Sequence, residues 1–148
     1  MIEQVIGKWH AYLRGQEPGG LDALLDDDVV FYSPIVFTPQ RGKAITTRYL
    51  RAAAQTFPGD TSPTGSTSGD REVGDRSFRY TKTVTSGDTA VLEFETTIEG
   101  KYVNGVDIIT CNDEGRIVEF RVMIRPLQAV ELIHRQMAAM LERMTPAD

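Results

Sequence analysis

Residues 89–125 constrain the fold of this chain most, because they read as three consecutive strands with one carboxylate, Asp107, set into the middle one. The runs are Thr89–Ile98, Tyr102–Cys111 and Arg116–Arg125, punctuated by Glu99-Gly100 and by Asn112-Asp113-Glu114-Gly115. Connections this short join antiparallel neighbours, since a parallel crossover needs a dozen or more residues. Period-two alternation assigns the faces of the outer two runs. Leu92, Phe94, Thr96 and Ile98 form one expected core face, against Val91, Glu93, Glu95 and Thr97. Val118, Phe120, Val122 and Ile124 form the other, against Ile117, Glu119, Arg121 and Met123. In the middle run Asp107, Ile109 and Cys111 oppose Val106, Ile108 and Thr110, and neither set is plainly polar. Alternation therefore leaves the direction of Asp107 open, and both faces of that strand are candidates for cover, one by the interior and one by a second subunit. Asn104-Gly105 is a strong turn dipeptide, so the hairpin is free to close there or at Gly100.

Upstream, Ile2, Val5, Ile6, Trp9 and Leu13 recur at helical spacing, and Pro18-Gly19-Gly20 breaks the chain before a short helix at Leu21–Leu25. Asp26-Asp27-Asp28 is expected as a solvated turn, because it lacks the alternating ligands and glycine of a calcium loop. Val29–Ser33 is a strand closed by Pro34, and Gly42 precedes a helix from about Lys43 to Gln55 that Phe57-Pro58 stops. Residues 58–70, almost all Pro, Gly, Ser, Thr and Asp, read as a mobile loop, either a lid or a plain connection. Phe78–Thr85 alternates as a further strand, turned by Ser86-Gly87-Asp88 into the three-strand unit. After Pro126, Leu127, Val130, Ile133, Met137, Met140 or Leu141, and Met144 make the apolar stripe of a last helix. Its methionines either pack or cap a cavity mouth. Hairpin-connected strands with helices segregated to one side define an α+β fold. A chain of 148 residues is expected to form a single domain over 1–148.

The net charge of −5, with Lys and Arg scattered, argues against nucleic acid and anionic membrane as partners. No apolar run approaches the ~20 residues of a membrane span. Cys111 is the single cysteine, so no internal disulfide forms. With a helical N-terminus that lacks a secretion signal, it leads us to expect a cytoplasmic protein. His10 and His134 are the two histidines and lie far apart, so no metal site is expected. The P-loop, the dinucleotide fingerprint and the nucleophile elbow are all missing, and no cofactor is expected.

Phe31-Tyr32-Ser33-Pro34 with Gly42, Val103-Asn104-Gly105-Val106-Asp107-Ile108, Gly115-Arg116-Ile117-Val118-Glu119-Phe120 and Arg125-Pro126-Leu127 carry a resemblance over nearly the whole chain. It is to the SnoaL-like group of the nuclear transport factor 2 superfamily. The resemblance implies a curved mixed or antiparallel sheet wrapped around helices as a cone, an apolar cavity, and homodimers through the sheet's outer face. It also implies that Asp107 faces the cavity, with Phe31, Ser33, Leu92 and Phe94. The family includes ketosteroid isomerase, scytalone dehydratase, polyketide cyclases and limonene epoxide hydrolase. The epoxide hydrolase's charged triad meets apolar residues here, at or near Leu92, Phe94 and Val122. The dehydratase's histidine pair has no clear counterpart.

A carboxyl group in an apolar pocket is pushed toward its neutral form, so Asp107 is the candidate general acid or base. Tyr12 on the first helix is its expected catalytic helper, with Tyr32 the weaker choice. Trp9, Phe31, Ser33, Leu92, Phe94, Ile109, Phe120 and Val122 are the expected cavity lining, although Trp9 on its apolar stripe is first of all suited to plain core. The expectation is a protein that binds a small, mostly apolar organic molecule, either as an isomerase, cyclase or dehydratase without cofactor, or as a non-catalytic module. In the second case Asp107 is a structural carboxylate bonded to Tyr, Trp or backbone. A homodimer is expected through Val106, Ile108 and Met123, with Glu93 and Glu95 opposed by Arg121 or Arg125 across strands.

Overall fold

The computed structural model describes residues 1–57 and 78–144, so the expected loop at 58–70 lies outside the described residues. Along the chain run α1 (Ile2–Leu13), α2 (Gly20–Leu24), β1 (Leu25–Tyr32), β2 (Gln40–Arg41), α3 (Lys43–Thr56), β3 (Arg79–Ser86), β4 (Thr89–Ile98), β5 (Lys101–Cys111), β6 (Ile117–Arg125) and α4 (Leu127–Met144). The strands form one six-stranded sheet in the order β2-β1-β6-β5-β4-β3. Every pairing is antiparallel except β1 with β6, which is parallel. The result is the expected α+β fold with an open, mixed sheet. No described helix is long and apolar enough to cross a membrane.

The β4–β5 hairpin closes at Glu99-Gly100, with Ile98 opposite Lys101. Both turn residues have positive φ, 52° and 77°, as the tight hairpin turn demands. Asn104-Gly105 instead lies inside β5. The Asn104 side chain donates to the Phe94 carbonyl at 2.9 Å and to Glu93 Oε2 at 3.0 Å, which holds β4 to β5. Gly105 is there for space. A Cβ added to it would stand 2.4 Å from the Met123 carbonyl oxygen and 2.6 Å from Cζ of Phe94.

Two irregularities reassign faces that simple alternation misplaces. In β6, Glu119 pairs with Thr110 but Ile117 pairs with Cys111, so Val118 is an extra residue. A bulge reverses the alternation beyond it, and Ile117, expected outward, is fully buried. In β1 the register slips between Leu25 and Val30, where Asp26-Asp27-Asp28 sit. These three belong to an irregular stretch of strand and not to a turn. Asp27 pairs with Lys43 at 3.2 Å, and Asp26 Oδ2 accepts Nδ2 of Asn112 at 3.0 Å.

The core falls into two clusters. One joins Ile2, Val5, Ile6 and Trp9 of α1 to Leu92, Ile109 and Phe120 of the sheet. The other joins Phe94 and Val103 to Ala129, Leu132 and Ile133 of α4. Between the helices and the sheet, the two clusters do not fill all of the space.

Within one chain no ion pair joins β4 to Arg121 or Arg125, because β5 stands between β4 and β6. Glu95 pairs with Arg79 at 2.8 Å, and Arg121 with Glu119 at 3.0 Å. Arg125 donates to Asn104 Oδ1 at 3.2 Å.

Gly105→Ala should lower the unfolding free energy by about 1–3 kcal/mol, the usual cost of overpacking a tight site. Urea denaturation checks this, and an unchanged midpoint would show that the Met123 backbone and Phe94 both yield freely.

Candidate functional site

Asp107 sits near the middle of β5, with Leu92 of β4 and Val122 of β6 as its cross-strand neighbours. It shares the inward face of β5 with Val103, Gly105, Ile109 and Cys111, all buried, and is itself only 6% exposed. The direction that alternation leaves open is therefore inward. Oδ2 accepts a hydrogen bond from the Tyr80 hydroxyl at 2.6 Å, and that hydroxyl accepts one from the Trp9 indole N–H at 2.9 Å. Strand β5, edge strand β3 and helix α1 thus meet at one carboxyl group.

This group forms part of the wall of a cavity of about 290 Å³. The sheet supplies Phe31, Phe94, Phe120, Val122 and Ile124 to the lining; α3 supplies Tyr49, Leu50, Ala53 and Ala54. From α4 come Ile133, His134, Met137, Ala138 and Leu141. Phe57 and Phe78 close one side, Phe78 stacking on Phe94 with ring centroids 5.0 Å apart. Asp107 is the single carboxylate among these lining groups, in an otherwise aromatic and aliphatic enclosure.

The family model for the SnoaL-like domain matches residues 6–120. The chain belongs to the SnoaL-like domain family. Among solved structures, this SnoaL-like chain is similar to a steroid delta-isomerase from Pseudomonas aeruginosa, with 26% identity and a TM-score of 0.80 over 97% of this chain and 93% of that one. It is similar to an uncharacterised bacterial protein with a cystatin-like fold from Silicibacter pomeroyi, with 26% identity and a TM-score of 0.71 over 91% and 83% of the two chains. A nuclear transport factor 2-like protein from Mesorhizobium loti, 18% identical with a TM-score of 0.63 over 84% and 91%, shares the fold. No curated protein sequence matches the chain.

Of the lining expected for this SnoaL-like domain, the structure places Trp9, Phe31, Ser33, Phe94, Phe120 and Val122 on the cavity wall. Leu92 and Ile109 are not on it. Both are fully buried in the cluster with Ile2, Val5 and Ile6, where α1 covers the sheet. Tyr12 is not on the wall either. It stacks on the indole of Trp9 at 5.6 Å, and burial pushes its phenol above the usual range. Tyr32 points away, under the guanidinium of Arg121, 3.8 Å from its ring centroid. Ser33 lines the cavity, but its Oγ accepts the backbone N–H of Ile35 at 2.9 Å and so braces the following turn. Met137 and His134 reach the wall from α4. Among the described residues no cluster of His, Cys, Asp or Glu is arranged to hold a metal ion.

The phenol beside Asp107 is Tyr80, which is not among the expected site residues. Counting back along β3 from the Ser86–Thr89 pair sets Tyr80 opposite Glu95, on the outer face. A bulge between Tyr80 and Lys82 shifts the register, so Tyr80 pairs with Phe94 and turns inward. The available signal was Phe78, which shares that face two residues earlier.

Burial pushes the Asp107 carboxyl up from 3.8 to about 7, and the Tyr80 hydrogen bond works against that rise. A carboxyl whose folded pKa lies above its unfolded value binds its proton more tightly when folded, so its contribution to stability is lost as pH rises. Stability should therefore fall by about 1.4 kcal/mol per pH unit between the two values. Asp107→Asn should remove that slope and leave the protein more stable than the parent above pH 7. Chemical denaturation across the pH range measures it, and an identical slope in the variant would contradict the assignment.

Proposed function

We propose that the cavity receives a small, mostly apolar organic molecule and that Asp107 transfers a proton to or from it. On this reading the protein is an isomerase, cyclase or dehydratase that works without a cofactor. The observation that carries the proposal is a carboxyl group with a midpoint of about 7, open to an aromatic-walled cavity. A base poised near the working pH exists in both protonation states and transfers protons with little mismatch. Ionised Asp107 would remove a hydrogen from carbon beside a carbonyl group, leaving an enolate. Returning that proton to another carbon isomerises the ligand, loss of a hydroxyl with it dehydrates, and attack by the enolate on a second carbonyl closes a ring. Likeness to a steroid delta-isomerase, at 26% identity, supports this class of chemistry. The second reading, a binding module with a structural Asp107, is favoured by the hydrogen bond from Tyr80, whereas the lack of any backbone donor to the carboxylate favours the first. Tyr80 is its one hydrogen-bond partner among the described residues.

The homodimer belongs to the same proposal, through the outer face of β5 and β6. Met123 is 52% and Tyr102 45% exposed there, beside half-buried Val106 and Ile108. The buried thiol of Cys111 fits the cytoplasmic location we propose.

A screen of apolar ketones and hydroxyketones should yield a substrate whose turnover drops about 10²–10⁴-fold in Asp107→Asn and in Asp107→Ala. Full activity in both variants would leave binding as the function. Light scattering at micromolar concentration should give twice the mass of one chain, and a monomer would overturn the proposed interface.

A further inference from the structure

Just past the end of β1 stands a hydroxyl whose hydrogen-bonding capacity is mostly taken up. Ser33 Oγ accepts the backbone N–H of Ile35 at 2.9 Å and that of Val36 at 3.2 Å. A serine hydroxyl has two lone pairs and one proton, so these bonds fill both acceptor sites and leave only the proton to give. No acceptor for that proton stands among the described residues. Alternation sets the side chain toward the cavity. Phe31, two residues earlier, lies on the cavity wall, whereas Tyr32 lines a groove outside it; Ser33 borders both hollows.

Tyr32 pairs with Arg121 as the last step of β1 along β6, and Ser33 follows Tyr32 as Val122 follows Arg121. Val122 in turn pairs with Asp107. Ser33, Val122 and Asp107 therefore make one row across the sheet, and all three line the cavity. Two strand spacings set the backbones at the ends of that row roughly 10 Å apart, a span in which both side chains reach one small molecule. We propose that the Ser33 hydroxyl is the donor that binds the ligand's carbonyl oxygen, across Val122 from Asp107. The inference rests on the proton-transfer reading and names the ligand's chemistry. A hydroxyl that can only donate binds a carbonyl oxygen, and binds it more tightly once that oxygen gains the negative charge of an enolate. The class is an uncharged ketone or ester. A ligand that presents only N–H donors at this point leaves the hydroxyl unmatched.

Other donors on the wall supply the controls. Tyr49 of α3 stacks on Phe31 with ring centroids 5.3 Å apart, and His134 reaches the wall from α4. A neutral Asp107 carboxyl also donates, whereas the ionised group only accepts. Binding measured at about pH 9, above the Asp107 midpoint of about 7, therefore removes that competitor.

The probes are 2-acetylnaphthalene and 2-isopropenylnaphthalene, which share a shape and differ in carrying an oxygen or a methylene on the same carbon. Fluorescence titration gives both affinities. Ser33→Ala should weaken the ketone about tenfold relative to the hydrocarbon, the usual worth of one hydrogen bond. Ser33→Thr, which keeps the hydroxyl, should keep the parent ratio, and Tyr49→Phe and His134→Ala should leave it unchanged. A Ser33 that only braces its turn would alter both affinities together. An unchanged ratio in Ser33→Ala therefore overturns the proposal, as does a ratio lost in Tyr49→Phe or His134→Ala. Should Ser33→Ala not fold, the infrared carbonyl stretch of the ¹³C-labelled ketone decides. A shift to lower frequency on binding that survives Tyr49→Phe and His134→Ala supports Ser33, and an unshifted stretch overturns it. None of these measurements needs turnover, so a failure here leaves the test of the Asp107 variants standing. If neither probe binds, the cavity reading falls and the role of Ser33 with it.

Discussion

The hydrogen bond from Tyr80 to Asp107 is the constraint around which the interior is arranged. Removing a carboxyl from water inside a sheet disfavours its charge strongly, and one phenolic donor offsets part of that cost. The balance shows in the outcome: desolvation is the larger effect, and the carboxyl titrates at about 7 in spite of its partner. To make even this one bond, edge strand β3 must turn Tyr80 inward, and α1 must bring Trp9 across the end of the sheet. The fold holds an acid where packing alone would place another Leu or Val.

Much of the architecture was readable because it follows from local chemistry. Glu99-Gly100 and Gly87-Asp88 fix two hairpins, and alternation in β4 gives the buried set Leu92, Phe94, Thr96 and Ile98 directly. The stripe of α1 follows from its spacing, whereas in α4 the expected Leu127 is exposed and Ala129 and Leu132, outside the expected stripe, are buried with Ile133. What failed was register. A bulge adds a residue that no propensity announces, and each bulge flips the side chains beyond it. Ile117 was misplaced for that reason, and a like shift in β3 turns Tyr80 inward beside Phe94. Asn104-Gly105 misled differently: the dipeptide that suits a tight turn also suits a strand where a ring must lie close to the backbone.

The site was legible in its carboxylate and not in its partner. Asp107 stands out in one dimension as an acid within an apolar run, whereas Trp9, Tyr80 and Asp107 converge only through long-range pairing. Leu92 and Ile109 show the same limit from the other side. Both face inward as alternation says, yet whether an inward residue meets a helix or a hollow depends on where α1 ends, and α1 covers them. Tyr12, the expected phenol, serves instead to stack behind Trp9.

The economy of this cavity narrows its chemistry further than the fold does. A scaffold shared by many relatives admits many reactions, and function has to be argued from the groups that line the hollow. Among the described residues the walls carry a single carboxylate, while His134 stands on α4, exposed to solvent. Reactions that pair two carboxyl or imidazole groups on opposite sides of a ligand would demand a second such group deep in the pocket. A reaction in which one group takes a proton and later returns it needs only Asp107. On the proposed reading the apolar surroundings favour that sequence too, because burial holds the carboxyl at a midpoint where giving and taking a proton would cost nearly the same.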